Sequence, residues 1–113
     1  MKRRTSWKGR QGERYAEAFL IQCGYRILRR NLRLPGGEID LVCLDRGILV
    51  FVEVKRRDSS RFGSALSAVH RRKQWTIRTI AADYAQIVAP GRQIRFDVVA
   101  LDGNRVRLHR NAF

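Results

Sequence analysis

Asp40, Glu53 and Lys55, with Glu38 beside them, are the residues of this 113-residue chain whose types and spacing could do chemistry. Glu38 and Asp40 lie in Gly36-Gly37-Glu38-Ile39-Asp40-Leu41-Val42. Glu53 and Lys55 end the run Leu49-Val50-Phe51-Val52-Glu53-Val54-Lys55. Asp45-Arg46-Gly47 between them reads as the tight turn of a β-hairpin. Side chains alternate along a strand, so Glu53 and Lys55 share a face with Phe51, and Glu38 and Asp40 share one with Val42. If Arg46-Gly47 is a two-residue turn, Asp45 pairs with Ile48, Asp40 falls opposite Glu53, and Glu38 falls opposite Lys55. Three carboxylates and an ammonium then gather on one face. A slip of one residue, for instance through a bulge at Gly47, breaks that parity.

Such a group has a plain reading and a chemical one. Cross-strand ion pairs, Glu38 with Lys55 and Asp40 with an arginine, would amount to little more than surface electrostatics. Carboxylates directly opposite each other repel, however. A divalent cation relieves that repulsion, and paired carboxylates are what Mg²⁺ takes from a protein. The position adds weight. Ile48 to Val52 is apolar without a break, as in a strand buried on both faces, and the charges come at its end.

The remaining elements must hold this hairpin. A helix is expected from about Arg10 to Cys23, stopping at Gly24. Its apolar stripe is Ala16, Phe19, Leu20 and Cys23. Glu13 projects near that stripe and Glu17 lies further round, toward solvent. Taken alone, Glu13 is a helix-start carboxylate favoured by the macrodipole. Tyr25 to Arg29 reads as a strand with Ile27 inward, and Asn31 to Gly37 as a loop. After Lys55, a basic loop from Arg56 and Arg57 to Gly63 is expected, whose cations could hold phosphates. A second helix should run from Ala65 or Ser67 to Gln86, with Val69, Ile77, Ile80, Ala81 and Tyr84 inward. Lys73 lies on the same side, able to reach the carboxylates or a phosphate, or to snorkel. Trp75 falls off that stripe. Packing in the core, at a subunit interface or on a base are its open roles, the first being commonest for a lone aromatic. Ile94 to Leu101 reads as a strand parallel to the Glu53 strand, and Val106 to Leu108 as a basic edge strand. The whole is an α/β (α+β) domain spanning 1–113, a mixed central sheet flanked by helices, with residues 1–8 as a mobile basic arm.

Composition points to a partner. Lys plus Arg number 24 against 10 Asp plus Glu, a formal net charge of +14. That excess suits a polyanion, nucleic acid first. No apolar run approaches the ~20 residues of a membrane span, the basic start lacks the apolar stretch of a signal peptide, and no basic amphipathic helix suits a membrane surface. Cys23 and Cys43 sit inside apolar segments, as reduced thiols of a cytoplasmic protein do. With His70 and His109 they make no zinc spacing.

Glu13 with Gly12 and Ala16, Asn31, Gly37-Glu38-Ile39-Asp40-Leu41, Phe51-Val52-Glu53-Val54-Lys55, Lys73, Arg95-Phe96-Asp97-Val98-Val99 and Asn111-Ala112-Phe113 together resemble the PD-(D/E)xK nuclease superfamily. Within it, nearly the full length resembles the YraN-like bacterial family, which is related to archaeal Holliday junction resolvases. The resemblance implies a restriction-endonuclease-like αβββαβ core. It implies a metal site of Asp40 and Glu53 for Mg²⁺ or Mn²⁺, with Lys55 orienting the attacking water and Glu13 as an auxiliary ligand. It also implies hydrolysis of branched or structured DNA by a homodimer. One departure is that no proline directly precedes Asp40; Pro35 comes five residues earlier. The alternative is a non-catalytic nucleic-acid-binding protein that retains the fold.

Overall fold

The computed structural model of the protein describes residues 10–57, 71–102 and 105–113. The expected basic arm, the loop beyond Arg57, the start of the second helix and Val69 lie outside the described residues. The elements run α1 (Arg10–Gln22), β1 (Arg26–Leu34), β2 (Gly37–Asp45), β3 (Ile48–Arg57), α2 (Arg71–Val88), β4 (Ile94–Asp102) and β5 (Arg105–His109). The strands form one mixed sheet in the order β1-β2-β3-β4-β5. Only β3 and β4 pair in parallel; the other neighbours are antiparallel. The parallel pair is the one whose connection contains α2, because strands running the same way need a long crossover.

Each face of the sheet carries an apolar layer. On one, Ala16 and Leu20 of α1 pack with Leu41, Cys43, Val50, Val52 and Val99. On the other, Ile77, Ile80, Ala81 and Ala85 of α2 pack with Ile39, Val42, Leu49, Phe51 and Phe96. Residues recurring every three or four positions put one stripe of each helix onto the sheet. β3 supplies both layers, Val50, Val52 and Val54 to one and Leu49 and Phe51 to the other, so it is central and apolar throughout its first half. Phe51 stacks on Phe96 (5.7 Å between centroids), which stacks in turn on Phe113 (5.3 Å). α1 ends as expected: the Tyr25 N–H returns to the Leu20 carbonyl at 3.0 Å and the Gly24 N–H to Ile21 at 3.0 Å.

Two expectations about the fold's outline need correcting first. Residues 31–34 are strand, not loop. β1 stays paired with β2 down to Leu34↔Gly37, so Pro35-Gly36 is the entire turn. Asn31 was misleading because it does bend the chain, at φ 49°, a conformation Asn tolerates, without leaving the ladder. Arg30↔Leu41 and Leu32↔Ile39 bracket it, which puts Asn31 across from Asp40. Strict alternation would send Ile39 to the same layer as Leu41, yet Ile39 joins the α2 layer. The faces therefore switch at the Asn31–Asp40 step. Gly37 sits where β2 passes beneath α2: a Cβ there would come within 3.3 Å of Ile80 and 3.4 Å of Thr76. The second correction concerns Trp75, which is 68 % exposed and packs in no core. Its place on α2 is opposite the buried stripe.

On the face of the sheet that α1 covers, opposite the α2 face, a buried polar network joins distant parts of the chain. Asp97 is fully buried and Asp45 nearly so. The Arg95 guanidinium donates to Asp97 through Nε (2.9 Å) and through Nη2 (2.8 Å), and Nη2 also reaches Asp45 at 2.8 Å. The Tyr25 hydroxyl donates to Asp97 Oδ2 at 2.7 Å, and the Asn111 N–H to Oδ1 at 2.9 Å. Residues next to α1, in β2, in β4 and after β5 are thus tied together through Asp97 and the Arg95 guanidinium. Breaking a buried charged pair from one side is costly because the other charge is stranded. Asp97→Ala is expected to cost about 3–5 kcal/mol by denaturant unfolding, a large share of a small domain's stability. Tyr25→Phe, which removes one hydroxyl, should cost about 1–2 kcal/mol. An Asp97→Ala protein as stable as the wild type would show that the network is dispensable.

Candidate active site

The β2–β3 turn is the two-residue one: Asp45 pairs with Ile48, and Arg46 and Gly47 have φ of 50° and 87°. Both central residues are left-handed, as in a type I′ turn, which glycine adopts freely and arginine does not. The register therefore runs as the turn dictates, through Leu44↔Leu49 and Val42↔Phe51 to Leu41↔Val52. The next rung would be Asp40 with Glu53. There the side chains replace the backbone ladder. The Val54 N–H donates to Asp40 Oδ2 at 2.8 Å, and the Asp40 N–H donates to Glu53 Oε2 at 3.3 Å. Each carboxylate is held by the other strand's backbone, so the two are brought side by side.

Glu53 is 1 % exposed. It follows Phe51 by two residues and so shares the face covered by α2. From the first described turn of α2, Lys73 brings Nζ to 3.3 Å from Glu53 Oε1. Lys55, half-buried, lies close enough to Lys73 to feel its charge. The cluster is thus two carboxylates and two lysines, from β2, β3 and α2.

Its electrostatics follow from burial. Removal from water pushes the Glu53 carboxyl up to about 7, with the Asp40 charge adding to the rise and Lys73 opposing it. Asp40 is also raised, by burial first, against the Val54 N–H and the two lysines, with Glu38 adding a little. Lys55 is lowered by burial and then by Lys73. Burial also works against the charge on Lys73, but Lys55, Glu53 and Asp40 outweigh it and its net shift is upward. Both carboxyl groups and Lys55 are thus shifted toward their neutral forms, and Lys73 toward its charged form. Groups pushed apart in this way are what proton-transfer chemistry uses.

Other expected site residues lie elsewhere. Glu38 does not meet Lys55. It pairs with Arg33 of β1 at 3.7 Å, because β1 continues far enough to place Arg33 directly across from it. Arg56 and Arg57, expected to begin a loop, are instead the last two residues of β3, because the pairing with β4 continues through Arg56↔Leu101 and Arg57↔Asp102; Arg56 is exposed there. Glu13 belongs to α1, on the opposite layer. It lines a surface groove of about 440 Å³ with Arg14, Glu17, Arg30 and Asn31. Asn31 brings that groove up to the Asp40 position, but no described hydrogen bond or ion pair joins Glu13 to the pair. Glu17, expected toward solvent, is instead covered. Arg30 Nε binds both its oxygens, at 2.8 and 3.0 Å, and its side chain is 16 % exposed. Longer β1 again explains this, by carrying Arg30 under α1.

Among the described residues, no third His, Cys, Asp or Glu joins Asp40 and Glu53 to make a larger metal-binding group. The pair nonetheless suits a hard cation, since Mg²⁺ is usually held by one or two carboxylates with waters and substrate phosphate. Among the described residues no helix is long and apolar enough to cross a membrane.

Comparison with known proteins places these residues in a wider set. Residues 12–101 match the profile of the family described as "Uncharacterised protein family UPF0102". A UPF0102 protein of Shewanella loihica is 42 % identical over 106 residues, covering 94 % of this chain and 93 % of its own. One from Symbiobacterium thermophilum is 45 % identical over 111 residues, covering 93 % and 94 %. A third, from Thermodesulfovibrio yellowstonii, is 37 % identical over 105 residues, covering 93 % and 94 %.

The raised Glu53 carboxyl has a sign that can be checked. Between its ordinary 4.5 and about 7 the folded protein keeps a proton that the unfolded chain has released, so stability falls as pH rises through that window. Glu53→Gln removes this dependence. Its melting temperature should change less than the wild type's between acid and neutral pH, and at pH 8 it should be more stable by about 1 kcal/mol or more. A variant less stable at every pH would mean that the bond to Lys73 outweighs the burial of the carboxylate.

Proposed function

We propose, for a chain that belongs to the UPF0102 family, that the Asp40–Glu53 pair holds Mg²⁺ or Mn²⁺ and that the protein hydrolyses phosphodiester bonds in branched or structured DNA. The observation that carries this reading is the reciprocal hold on the two carboxylates, each fixed by the opposite strand, with Lys55 and Lys73 against them. Such a site has cation-binding oxygens and phosphate-binding ammonium groups within one cluster. The likeness to PD-(D/E)xK nucleases, to the YraN-like family and to archaeal Holliday junction resolvases points the same way, and the resolvase relation suggests a two-fold dimer.

A bound cation supplies the charge that polarises a phosphoryl oxygen and lowers the pKa of water. The chain's own groups do the rest. Asp40 and Glu53, fixed by backbone N–H groups, lose little freedom on taking up ligands. Lys73, biased toward its charged form, presents a donor to phosphate oxygens whose charge grows during the reaction. Lys55, beside the pair at the end of β3, can orient the attacking water through Nζ. The charge of +14 draws in the polyanion.

A second reading has one observation behind it. The Lys73 ammonium already sits 3.3 Å from Glu53 and partly neutralises it. A protein that binds DNA without cutting it could keep that arrangement permanently.

Incubation of branched and linear DNA with Mg²⁺ or Mn²⁺ separates the two. Cleavage is expected, and should fall about a hundredfold or more in Asp40→Asn, Glu53→Gln and Lys55→Ala. Cleavage that survives Glu53→Ala and Lys55→Ala unchanged would remove the assigned site. Salt-sensitive binding without strand breaks under either metal would favour the second reading.

A further inference from the structure

We propose that the outer face of α2 is a stacking platform for unpaired nucleotides: the Trp75 indole takes a base while Arg71 and Arg72 take the adjoining phosphates. This deepens the nucleic-acid reading above and rests on it. It names a single-stranded segment as what the protein grips beside the carboxylate pair.

Trp75 is 68 % exposed, and its position on α2 explains why. The stripe Ile77, Ile80, Ala81 and Ala85 faces the sheet. At 100° per residue Trp75 points almost directly away from it. Its helix-surface neighbours are Arg71 and Arg72 one turn before and Arg78 and Thr79 one turn after, all exposed. Among the described residues the ring therefore does not belong to an apolar patch. The exposed Ile87 and Val88 lie near the other end of the helix, about 18 Å away for twelve residues of rise. Arg78 is engaged, its guanidinium 5.3 Å from the Phe96 ring centre. Among the described residues, Arg71 and Arg72 form no ion pair.

The charge decides between occupants. A second copy docked through this face would set guanidinium groups against guanidinium groups, whereas a polyanion is attracted by them. An aromatic plane flanked by cations is the arrangement on which single strands stack, since every base offers a π-face and duplex bases do not. Lys73, two residues earlier on the same turn, reaches the other way to Glu53. The turn thus connects the platform to the carboxylate pair.

The test uses the full-length protein in EDTA, with Trp7→Phe so that Trp75 is the sole indole. A short oligothymidylate should quench its fluorescence. Trp75→Ala should weaken oligothymidylate binding about tenfold, Trp75→Phe should recover most of it, and binding of an equal-length duplex should stay within about twofold. Absence of quenching, or an equal loss on single strand and duplex, would overturn the proposal. So would a dimer in sedimentation equilibrium that Trp75→Ala converts to monomer, because a second copy would then cover the ring. Quenching without cleavage under any metal would refute the nuclease reading alone. Cleavage with unchanged single-strand binding in Trp75→Ala would refute this one alone.

Discussion

At the step after Leu41↔Val52 the β2–β3 ladder gives way to two carboxylates, each accepting a backbone N–H from the strand opposite. The constraint is one of satisfaction. Buried N–H groups need acceptors, and here the acceptors are Asp40 and Glu53. The strands cannot separate at this point without stranding those groups, and the carboxylates cannot leave without unpairing the strands. Two acids that would otherwise repel are therefore held together in a buried place. The charged form of each is disfavoured there, and a cation or an ammonium is needed to relieve it.

The fold supplies the position. The left-handed Arg46-Gly47 turn sets the register, and the register sets which carboxylates meet. Glu53 follows the apolar half of β3 and is buried on the face that α2 covers, and α2 brings Lys73 down to it. The buried network at Arg95 makes a useful contrast. There, Asp45 and Asp97 share a guanidinium with further donors from Tyr25 and Asn111, and the charges are matched by groups of the chain itself. At Asp40 and Glu53 the match is incomplete, and both carboxyl groups are pushed upward. A matched cluster holds a fold together, whereas an incompletely matched one at the end of a strand can take up a ligand.

Much of this was legible in the chain. Counting from a two-residue turn sets Asp40 against Glu53, alternation puts Glu53 and Lys55 with Phe51, and helical spacing puts Lys73 on the side of Ile77. Local periodicity suffices because all of these relations lie within one hairpin or one helix. The partner of Glu38 was not legible. It depends on β1 continuing past Asn31, whereas the stretch from Asn31 to Pro35-Gly36-Gly37 reads as a loop. Glu17 was misplaced for the same reason, since Arg30 reaches it only from the extended strand. The Tyr25–Asp97 bond joins residues 72 positions apart, and no pattern of spacing signals it. Trp75 showed its direction through the helix period. A preference for burying aromatic rings argued otherwise, and the period was the better guide.

The most direct test is a crystal of the protein soaked in Mn²⁺, with anomalous scattering recorded. A peak within coordination distance of both Asp40 and Glu53, with Lys73 drawn away from Glu53, is the expected result. Ordered carboxylates that keep their present hydrogen bonds at saturating Mn²⁺, with no peak beside them, would contradict the account and leave the pair as a structural clasp between two strands.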